Sequence, residues 1–313
     1  MPDIVSLGES MVELFSEEPI ARAGSFHKAF GGDAMNMLVA AARLGASTGF
    51  ITRVGDDPFA PFLLESWRAE GIDVSHARLV EGFNAVYFIA LLAGGEREFT
   101  YYRRGSAAST MTPADLDPAY IGGARVLHVS GISQAISPSC RETVLAAVRL
   151  ARDQGVRVSY DPNLRRKLWP SLAEARAALQ EVLPFVDIVL PSAPEEMTDL
   201  LDVDSVEEGI ERLWAAGVGT VAVKLGKEGC LLGYDGRLIA VPPFVPEAVV
   251  DATGAGDAFD GAFLHGLVGG LSLEEAARLA VVCAGLSLRS RGAIGGLPYR
   301  EEAFAAWRSF RSP

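Results

Sequence analysis

The sequence predicts an α/β fold in which helices cover both faces of a mostly parallel β-sheet. Short apolar, strand-like runs alternate with segments of helical period along most of the 313 residues, which is typical of βαβ units. Hydrophobic residues make up 49% of the chain and charged residues 22%, as in a globular protein with a sizeable core. In such sheets, ligands bind beyond the carboxyl ends of the strands.

The elements of this sheet follow one another in a regular order. We expect its strands at residues 4–7, 49–54, 126–130, 156–161, 188–190 and 220–224. Apolar residues at a helical period predict the intervening helices at 34–44, 141–153, 173–183 and 206–216. Ser272 and Glu275 have the spacing of a capping box, which predicts the start of a helix in the C-terminal third.

One stretch interrupts the alternation. Residues 85–92 and 97–103 are rich in aromatics and predict two strands around Gly94 and Gly95. With a strand at 11–15, they predict a small sheet that acts as a lid on a single domain spanning 1–313. The lid strands would then come from about 10–16 and 85–104. An ordinary edge hairpin of the main sheet is the alternative.

Composition excludes several classes of function. The formal net charge of −12 argues against a nucleic-acid-binding surface, and no apolar run has the length of a membrane helix. The chain starts with an apparent strand and lacks a basic n-region, so we expect no signal peptide and a cytoplasmic location. Cys140, Cys230 and Cys283 are far apart, which predicts small core residues rather than disulfides or a zinc site.

The strongest chemical signal is the run DATGAGDAF at 251–259, a glycine-rich turn leading into a helix. Free N–H groups at such a helix start, with the positive end of the helix dipole, form an anion hole suited to phosphate. A carboxylate at Asp257 would lie close enough to remove a proton from a hydroxyl aimed at that phosphate. The alternative is that Asp257 only caps the helix.

A second glycine-rich element lies at Gly31 and Gly32, before a helix that we expect to end with Gly45 as its C-cap. Asn36 is a poor helix former, so a role facing a ligand is the better interpretation; a solvated surface amide is the alternative.

Together these two elements resemble the ribokinase-like (PfkB-type) carbohydrate kinase family. The resemblance extends over nearly the whole chain and includes KLGKEG at 224–229 and the run from Arg291 to Pro298. It implies a three-layer α/β sandwich with a mostly parallel central sheet and a small β-sheet lid. It also implies that Asp257 is the catalytic base and that Gly254, Ala255 and Gly256 form the anion hole.

The resemblance further implies how ATP and Mg²⁺ bind, since the chain has no Walker-type phosphate loop. The matching nucleotide-side positions are Asn163, Ser192, Lys224, Gly226, Gly229, Gly254, Gly256 and Ala284, the last in a wall at 280–284 that flanks adenine. Phosphate oxygens and water would hold most of the Mg²⁺ coordination sphere, with Glu195 nearby. Family members often bind a monovalent cation near Gly292 and Ala293.

Within the family, the sequence is most similar to the 2-keto-3-deoxygluconate kinases, which implies phosphorylation of the 6-hydroxyl of that sugar acid. Arg103 suits the substrate carboxylate because guanidinium–carboxylate pairing is directional, and strand alternation puts Tyr101 on its face and Tyr102 on the other. The other matching substrate positions are Gly32, Asn36, Tyr87, Ile132, Arg165 and Asp257, with Arg165 also able to serve the transferring phosphate.

Several alternatives stay open. The substrate could be fructose, ribose or another keto-sugar acid, and a non-catalytic sugar-binding regulator is a remote possibility. We expect Arg166 and Lys167 to be solvated surface cations. The lid aromatics could instead pack within the lid or form a lid-to-lid interface, and we expect a homo-oligomer, a dimer or larger, assembled through the lid.

Overall fold

The computed structural model describes residues 1–91 and 97–310. Within these ranges the strands, numbered in chain order, are β1 (Ile4–Leu7), β2 (Met11–Ser16), β3 (His27–Gly31), β4 (Thr48–Gly55), β5 (Ile72–Asp73), β6 (Ala77–Val80), β7 (Val86–Leu91), β8 (Arg97–Tyr102), β9 (Val126–Ser130), β10 (Arg157–Asp161), β11 (Ile188–Val189), β12 (Thr220–Lys224), β13 (Cys230–Tyr234) and β14 (Arg237–Val241). The α-helices are α1 (Asp33–Leu44), α2 (Ala60–Ala69), α3 (Pro118–Gly122), α4 (Gly131–Ala135), α5 (Pro138–Asp153), α6 (Leu172–Val182), α7 (Val206–Ala215), α8 (Ala255–Val268), α9 (Leu273–Ser287) and α10 (Arg300–Ser309).

The large sheet has the strand order β14-β13-β12-β11-β10-β9-β1-β4-β5, with β6 also paired to β4. All pairs from β12 to β5 are parallel. At its centre, Ile4 of β1 lies opposite Thr48 of β4 and Val126 of β9. The mostly parallel sheet predicted from the alternating pattern is therefore confirmed.

Helices pack on both faces of this sheet. Along β1, Ile4 belongs to the apolar core shared with α1, α8 and α9, whereas Val5 belongs to the core on the opposite face, shared with α5, α6 and α7. This split follows from the alternation of side chains along a strand. The protein thus has three layers, as expected for an α/β sandwich.

A separate four-stranded sheet has the order β3-β2-β7-β8 and is called the small sheet below. Its β7 and β8 are antiparallel, with Tyr87 opposite Tyr101, so the prediction of a second sheet is confirmed over that of an edge hairpin. The sequence did not predict β3, in which the first two residues are exposed. The turn predicted at Gly94 and Gly95 lies outside the described residues.

Some local signals are borne out and others were overlooked. Gly45 is a left-handed C-cap of α1 with φ 110°, and Ser272 with Glu275 forms a capping box at the start of α9. The antiparallel hairpin of β13 and β14 was overlooked, although Asp235 and Gly236 are a turn pair that favours hairpins, and both have positive φ.

The cysteines and the helices agree with the composition. Cys140, Cys230 and Cys283 are buried and unbridged, as expected of small core residues. Among the helices of the described ranges, none combines the length and the apolar content that a bilayer span requires.

Candidate active site

A cavity of about 760 Å³ lies at the carboxyl ends of the parallel strands, where the small sheet faces the large one. Its walls come from the segments after β1, β9 and β10, from β7 and β8, and from the first turns of α1 and α8. The predicted site residues that line it are Gly32, Asn36, Tyr87, Tyr101, Arg103, Ile132, Asn163, Arg165, Gly254 and Asp257. The structure therefore places every predicted substrate-binding residue on the wall of one cavity.

The glycine-rich turn has the geometry that an anion hole needs. Gly254 is the N-cap of α8 with φ 78°, a conformation that favours glycine, and a Cβ there would approach Ala293 within 2.9 Å. Within residues 1–91 and 97–310, no side chain caps this helix. The backbone N–H groups of its first turn therefore stay available, and the alternative of Asp257 as a simple cap is wrong.

The close packing of α1 against α8 brings Asn36 to Asp257. A Cβ on Gly261 of α8 would come within 2.7 Å of the Cβ of Ala40, so only glycine allows the two helices this approach. Asn36 is buried, and its Nδ2 donates to Oδ2 of Asp257 at 2.7 Å. Asn36 is thus not a solvated surface amide.

Asp257 faces the cavity with an altered affinity for protons. Burial raises its pKa, and the nearby carboxylate of Asp33 raises it further, while the hydrogen bond from Asn36 acts in the opposite direction; the result is a pKa of about 7. A carboxyl group with this pKa can accept a proton near neutral pH, which suits a general base.

On the opposite wall, Arg103 and Glu9 form a buried ion pair, with Nη2 2.6 Å from Oε1. Burial raises the pKa of Glu9 to about 7 although Arg103 lowers it, and Asp33 adds to the increase. Within the described ranges, Nε of Arg103, Oε2 of Glu9 and Oδ1 of Asn36 are buried without a hydrogen-bond partner. Unsatisfied buried groups on a cavity wall are those that a polar ligand would satisfy.

Aromatic rings of the small sheet form the wall beside Arg103. Tyr87 and Tyr101 are stacked with centroids 5.6 Å apart, and the guanidinium of Arg103 lies 6.0 Å from the centre of the Tyr101 ring. Tyr87 also donates a short hydrogen bond to Glu13. Tyr102 packs edge-on against Phe88 instead and does not line the cavity, so the alternation predicted for Tyr101 and Tyr102 holds.

Three basic residues follow β10, and they differ in their surroundings. Arg165 is exposed at the cavity wall, and within the described part of the chain its side chain donates only a long 3.4 Å bond, to the carbonyl of Leu164. Arg166 was expected to be merely solvated, but it donates two 2.6 Å bonds to Asp199. Lys167, also expected to be solvated, is exposed along the cavity wall.

Lys224 does not line this cavity. Its ammonium is buried between Asp161 at 2.9 Å and Asp260 at 3.0 Å. Burial disfavours the charged form of both carboxyl groups. At Asp161 the attraction of Lys224 outweighs burial, so the pKa of Asp161 lies below its usual value. The pKa of Asp260 lies well above its usual value. A Cβ on Gly256 would lie 3.7 Å from Nζ of Lys224, so the paired charge sits beneath the glycine-rich turn.

The predicted metal-side carboxylate, Glu195, is exposed and lies away from the cavity lining. Its neighbour Glu196 is buried, and its two oxygens accept from the backbone N–H groups of Leu164 at 2.6 Å and Ser192 at 2.7 Å. Burial and the repulsion from Asp161 raise the pKa of Glu196 to about 7. Glu195 and Glu196 are adjacent in the sequence, and only their burial distinguishes them.

The remaining nucleotide-side positions lie elsewhere. Gly226 and Gly229 bound the short turn between β12 and β13, Ser192 bridges to Lys224 in the large sheet, and Ala284 packs on the core from α9. With Ala255 and Gly256, they are absent from the lining of the cavity. Their contact with ATP stays a prediction. Across the described part of the chain, no group of three or more acidic, histidine or cysteine side chains is placed to hold a metal.

One junction was not singled out from the sequence. Arg97, at the start of β8, pairs with Asp251, just before the glycine-rich turn, and Asp251 also accepts from the N–H of Gly292 at 2.8 Å. The pairing joins residues 154 positions apart, and no local sequence signal could indicate it.

Comparisons with known proteins agree with this geometry. The family described as pfkB family carbohydrate kinase matches residues 1–300. A fructokinase-1 of Oryza sativa subsp. japonica is 37% identical over 98% of this chain and 98% of its own. A 2-dehydro-3-deoxygluconokinase of Thermoproteus tenax is 35% identical over 97% of this chain and 93% of its own.

A solved structure is similar as well. The aminoimidazole riboside kinase of Salmonella enterica, complexed with aminoimidazole riboside and an ATP analog, superimposes with a TM-score of 0.84 at 29% identity, covering 97% of this chain and 99% of that one. The similarity extends through both sheets, since it covers nearly all of each chain.

Proposed function

The chain belongs to the pfkB family of carbohydrate kinases, and from that premise we propose that it transfers the γ-phosphoryl group of ATP to the 6-hydroxyl of 2-keto-3-deoxygluconate. Sugar phosphotransfer follows from the family, and the identity of the sugar is the proposal. The observation that carries it is that Asp257 faces the same cavity as the guanidinium groups of Arg103 and Arg165.

Asp257 would act as the general base. Asn36 holds Oδ2 at 2.7 Å, which leaves Oδ1 to accept the proton of the sugar hydroxyl. As that proton moves to Asp257, the hydroxyl oxygen forms its bond to the γ-phosphorus and ADP departs. The pKa of about 7 keeps a substantial fraction of Asp257 ionised at neutral pH.

The glycine-rich turn would stabilise the charge of the transferring group. In this proposal the N–H groups of Gly254, Ala255 and Gly256 at the start of α8 would donate to it, and catalysis of this transfer depends mainly on positioning and charge stabilisation. Bound Mg²⁺ would supply charge neutralisation to the phosphate oxygens of ATP. Glu196 is the buried one of the two adjacent glutamates and accepts from the N–H groups of Leu164 and Ser192, so we assign it, in place of Glu195, as the carboxylate on the metal side.

Arg103 and Tyr101 would orient the sugar acid at the small sheet. The side chain of Arg103 lines the cavity, and its guanidinium has N–H groups besides the one that contacts Glu9, so it can donate to a carboxylate. With the sugar bound, the small sheet would exclude water from the cavity and so limit wasteful hydrolysis of ATP. Arg165, exposed at the wall, would contact either the carboxylate or the transferring phosphate.

Fructose is the second candidate, and two observations favour it. Glu9 already neutralises Arg103 in an ion pair of 2.6 Å, so a neutral ketose would not have to compete for that charge. The rice fructokinase is also slightly more similar to this chain than the Thermoproteus enzyme is.

A coupled assay of ADP release distinguishes the candidates. The purified chain would be given ATP, Mg²⁺ and, in separate reactions, 2-keto-3-deoxygluconate, fructose, ribose and gluconate. We expect the highest kcat/KM with 2-keto-3-deoxygluconate. A higher kcat/KM for fructose would reject the acid and support the second candidate, while no sugar-dependent release with any of the four would contradict the proposal.

A further inference from the structure

Arg97 connects the small sheet to the segment that enters the glycine-rich turn. Its Nη1 pairs with Oδ1 of Asp251 and donates to Oγ1 of Thr253 at 2.8 Å, and its Nη2 donates to the carbonyl of Val250 at 3.3 Å. All three acceptors lie within the four residues before Gly254. A guanidinium, with its planar set of donors, suits such a cluster of oxygens.

Asp251 joins three parts of the structure through its two oxygens. Besides pairing with Arg97, Oδ1 accepts from the N–H of Thr253 at 2.7 Å, while Oδ2 accepts from the N–H of Gly292 at 2.8 Å. Its side chain is only 6% exposed. Ala293, which follows Gly292 in the same loop, is the residue against which Gly254 packs. The position of the turn thus depends on Asp251.

The family resemblance implies a monovalent cation near Gly292 and Ala293, and these contacts bear on whether one can bind there. Asp251 is the carboxylate bonded to the loop, and its oxygens already serve Arg97, Thr253 and Gly292. Glu13, a second carboxylate nearby, accepts the hydroxyl of Tyr87 with Oε2, and a Cβ on Gly292 would lie 3.4 Å from its Oε1. A second cation beside Asp251 would therefore compete with its existing donors and be repelled by the guanidinium. The residues present do not fit a free cation beside Asp251.

We propose that Arg97 is a positioning residue whose guanidinium takes the place of that cation and holds the glycine-rich turn in shape when the small sheet is seated. The charge behind the anion hole then comes from the small sheet itself. The small sheet would then close over the sugar at the same time as the glycine-rich turn becomes ordered. This inference rests on the proposed kinase activity for its rate measurements only.

The first test compares ions on the wild-type chain and on Arg97→Ala. Wild type should turn over at the same rate in potassium chloride as in tetramethylammonium chloride. In the latter salt, Arg97→Ala should lose roughly tenfold or more in kcat with little change in KM, because the turn is needed mainly in the transition state. Potassium or guanidinium ions should raise the kcat of Arg97→Ala by roughly threefold or more, because they fill the position that the side chain has vacated.

Arg291→Ala is the matched control. Arg291 also joins the small-sheet side to the loop of Gly292 and Ala293, through an exposed pair with Glu17 at 2.5 Å, and its side chain forms no hydrogen bond or ion pair with Asp251. Its removal should leave kcat and the ion response unchanged. A merely structural role for Arg97 would lower the melting temperature of Arg97→Ala without any recovery of kcat by added ions.

A second test does not depend on activity. Crystals soaked in thallous acetate should show anomalous scattering beside Asp251 in Arg97→Ala and none there in wild type. Thallium beside Asp251 in wild type, potassium-dependent wild-type turnover, or an unchanged kcat of Arg97→Ala in tetramethylammonium would each overturn the inference. If wild type phosphorylates no sugar, the proposed function fails, while the thallium experiment still decides whether Arg97 occupies the cation position.

Discussion

Two basic residues on opposite sides of the glycine-rich turn show how differently the protein uses positive charge. Arg103, on the small sheet, faces the cavity with Nε lacking a hydrogen-bond partner in the described ranges. Lys224, beneath the turn, is enclosed by Asp161 and Asp260 and lines no part of the cavity. Arg103 is paired with one carboxylate, Glu9, and still lines the cavity, whereas Lys224 is enclosed by two carboxylates away from it.

This difference suggests a division of labour along the cleft. On the proposed sugar side, Glu9, Asn36 and Arg103 each keep a buried polar atom without a partner among the described residues, which costs stability unless a ligand satisfies it. On the other side, the side chains of Glu196 and Lys224 make several hydrogen bonds within the protein. The proposed sugar side thus presents polar atoms that a ligand could satisfy, whereas the polar groups on the proposed nucleotide side already have protein partners.

The largest expected effect comes from Asp257→Asn. The amide keeps the shape and a contact with Asn36 but accepts no proton, so kcat should fall by at least ~10²-fold while ATP still binds. Release of ADP measures kcat, and isothermal titration measures ATP binding. Asp235→Asn, the same change at the exposed turn between β13 and β14, is the control; near-normal turnover of Asp257→Asn would refute the assignment of the base.

On the other side of the comparison, Lys224→Met should mainly lower the free energy of unfolding. It leaves Asp161 and Asp260 buried without their cation, and breaking a buried pair in this way costs about 3–5 kcal/mol of unfolding free energy. Urea denaturation measures the loss, and Lys227→Met removes the same charge from an exposed position on the next turn. A loss no larger than that of Lys227→Met would mean that Lys224 is free to bind nucleotide after all.

The sequence predicted one side of this comparison much better than the other. Asp257 and Asn36 were found because each belongs to a glycine-rich turn or helix start, where the local chain already determines which way the backbone groups point. Tyr101 and Arg103 were found because a strand alternates its faces. In each case, local geometry was sufficient.

Pairing across distant segments could not be predicted in this way. Whether Lys224 is available depends on Asp161, 63 positions away, and the partner of Arg97 is 154 positions away. The choice between Glu195 and Glu196 depends on which one points at the N–H groups of Leu164 and Ser192. Residue type and spacing indicate which groups are charged, and only the tertiary fold determines which charges are neutralised.

Arg103→Ala should sharpen the sugar side of the comparison. A hydrogen bond to a charged group contributes about 1.5–3 kcal/mol, so kcat/KM for 2-keto-3-deoxygluconate should fall by roughly 10- to 100-fold. The kcat/KM for fructose, which has no carboxylate, should change much less. Arg103→Lys keeps the charge but not the planar fork and should give an intermediate loss; equal losses on both sugars would contradict a carboxylate role.

Glu9→Gln should act in the opposite direction by a smaller amount. It releases Arg103 from its 2.6 Å ion pair, so the guanidinium gains net charge towards the cavity. We expect kcat/KM for the sugar acid to rise a few-fold relative to that for fructose, since part of the pairing energy becomes available to the substrate. A shift of the ratio towards fructose would show that Glu9 contacts the sugar directly.

Asp33→Asn should have the smallest effect, on the pH dependence alone. Wild-type kcat should fall about tenfold per pH unit below the pKa of about 7 of Asp257, because the protonated form accepts no proton. Burial raises the pKa of Asp33 itself, yet hydrogen bonds from Ser130 and the N–H of Ala34 favour its charged form, as does its place at the start of α1. A charged Asp33 repels a charged Asp257.

Removing that repulsion lowers the pKa of Asp257, so the acid limb of the kcat profile should move to lower pH in Asp33→Asn, with the plateau above pH 8 little changed. Asp235→Asn should leave the limb in place. A limb that stays where it is in Asp33→Asn would mean that Asp33 is neutral in the folded protein. Burial alone would then account for the raised pKa of Asp257, and the contrast between the two sides of the turn would be one of solvation rather than of charge.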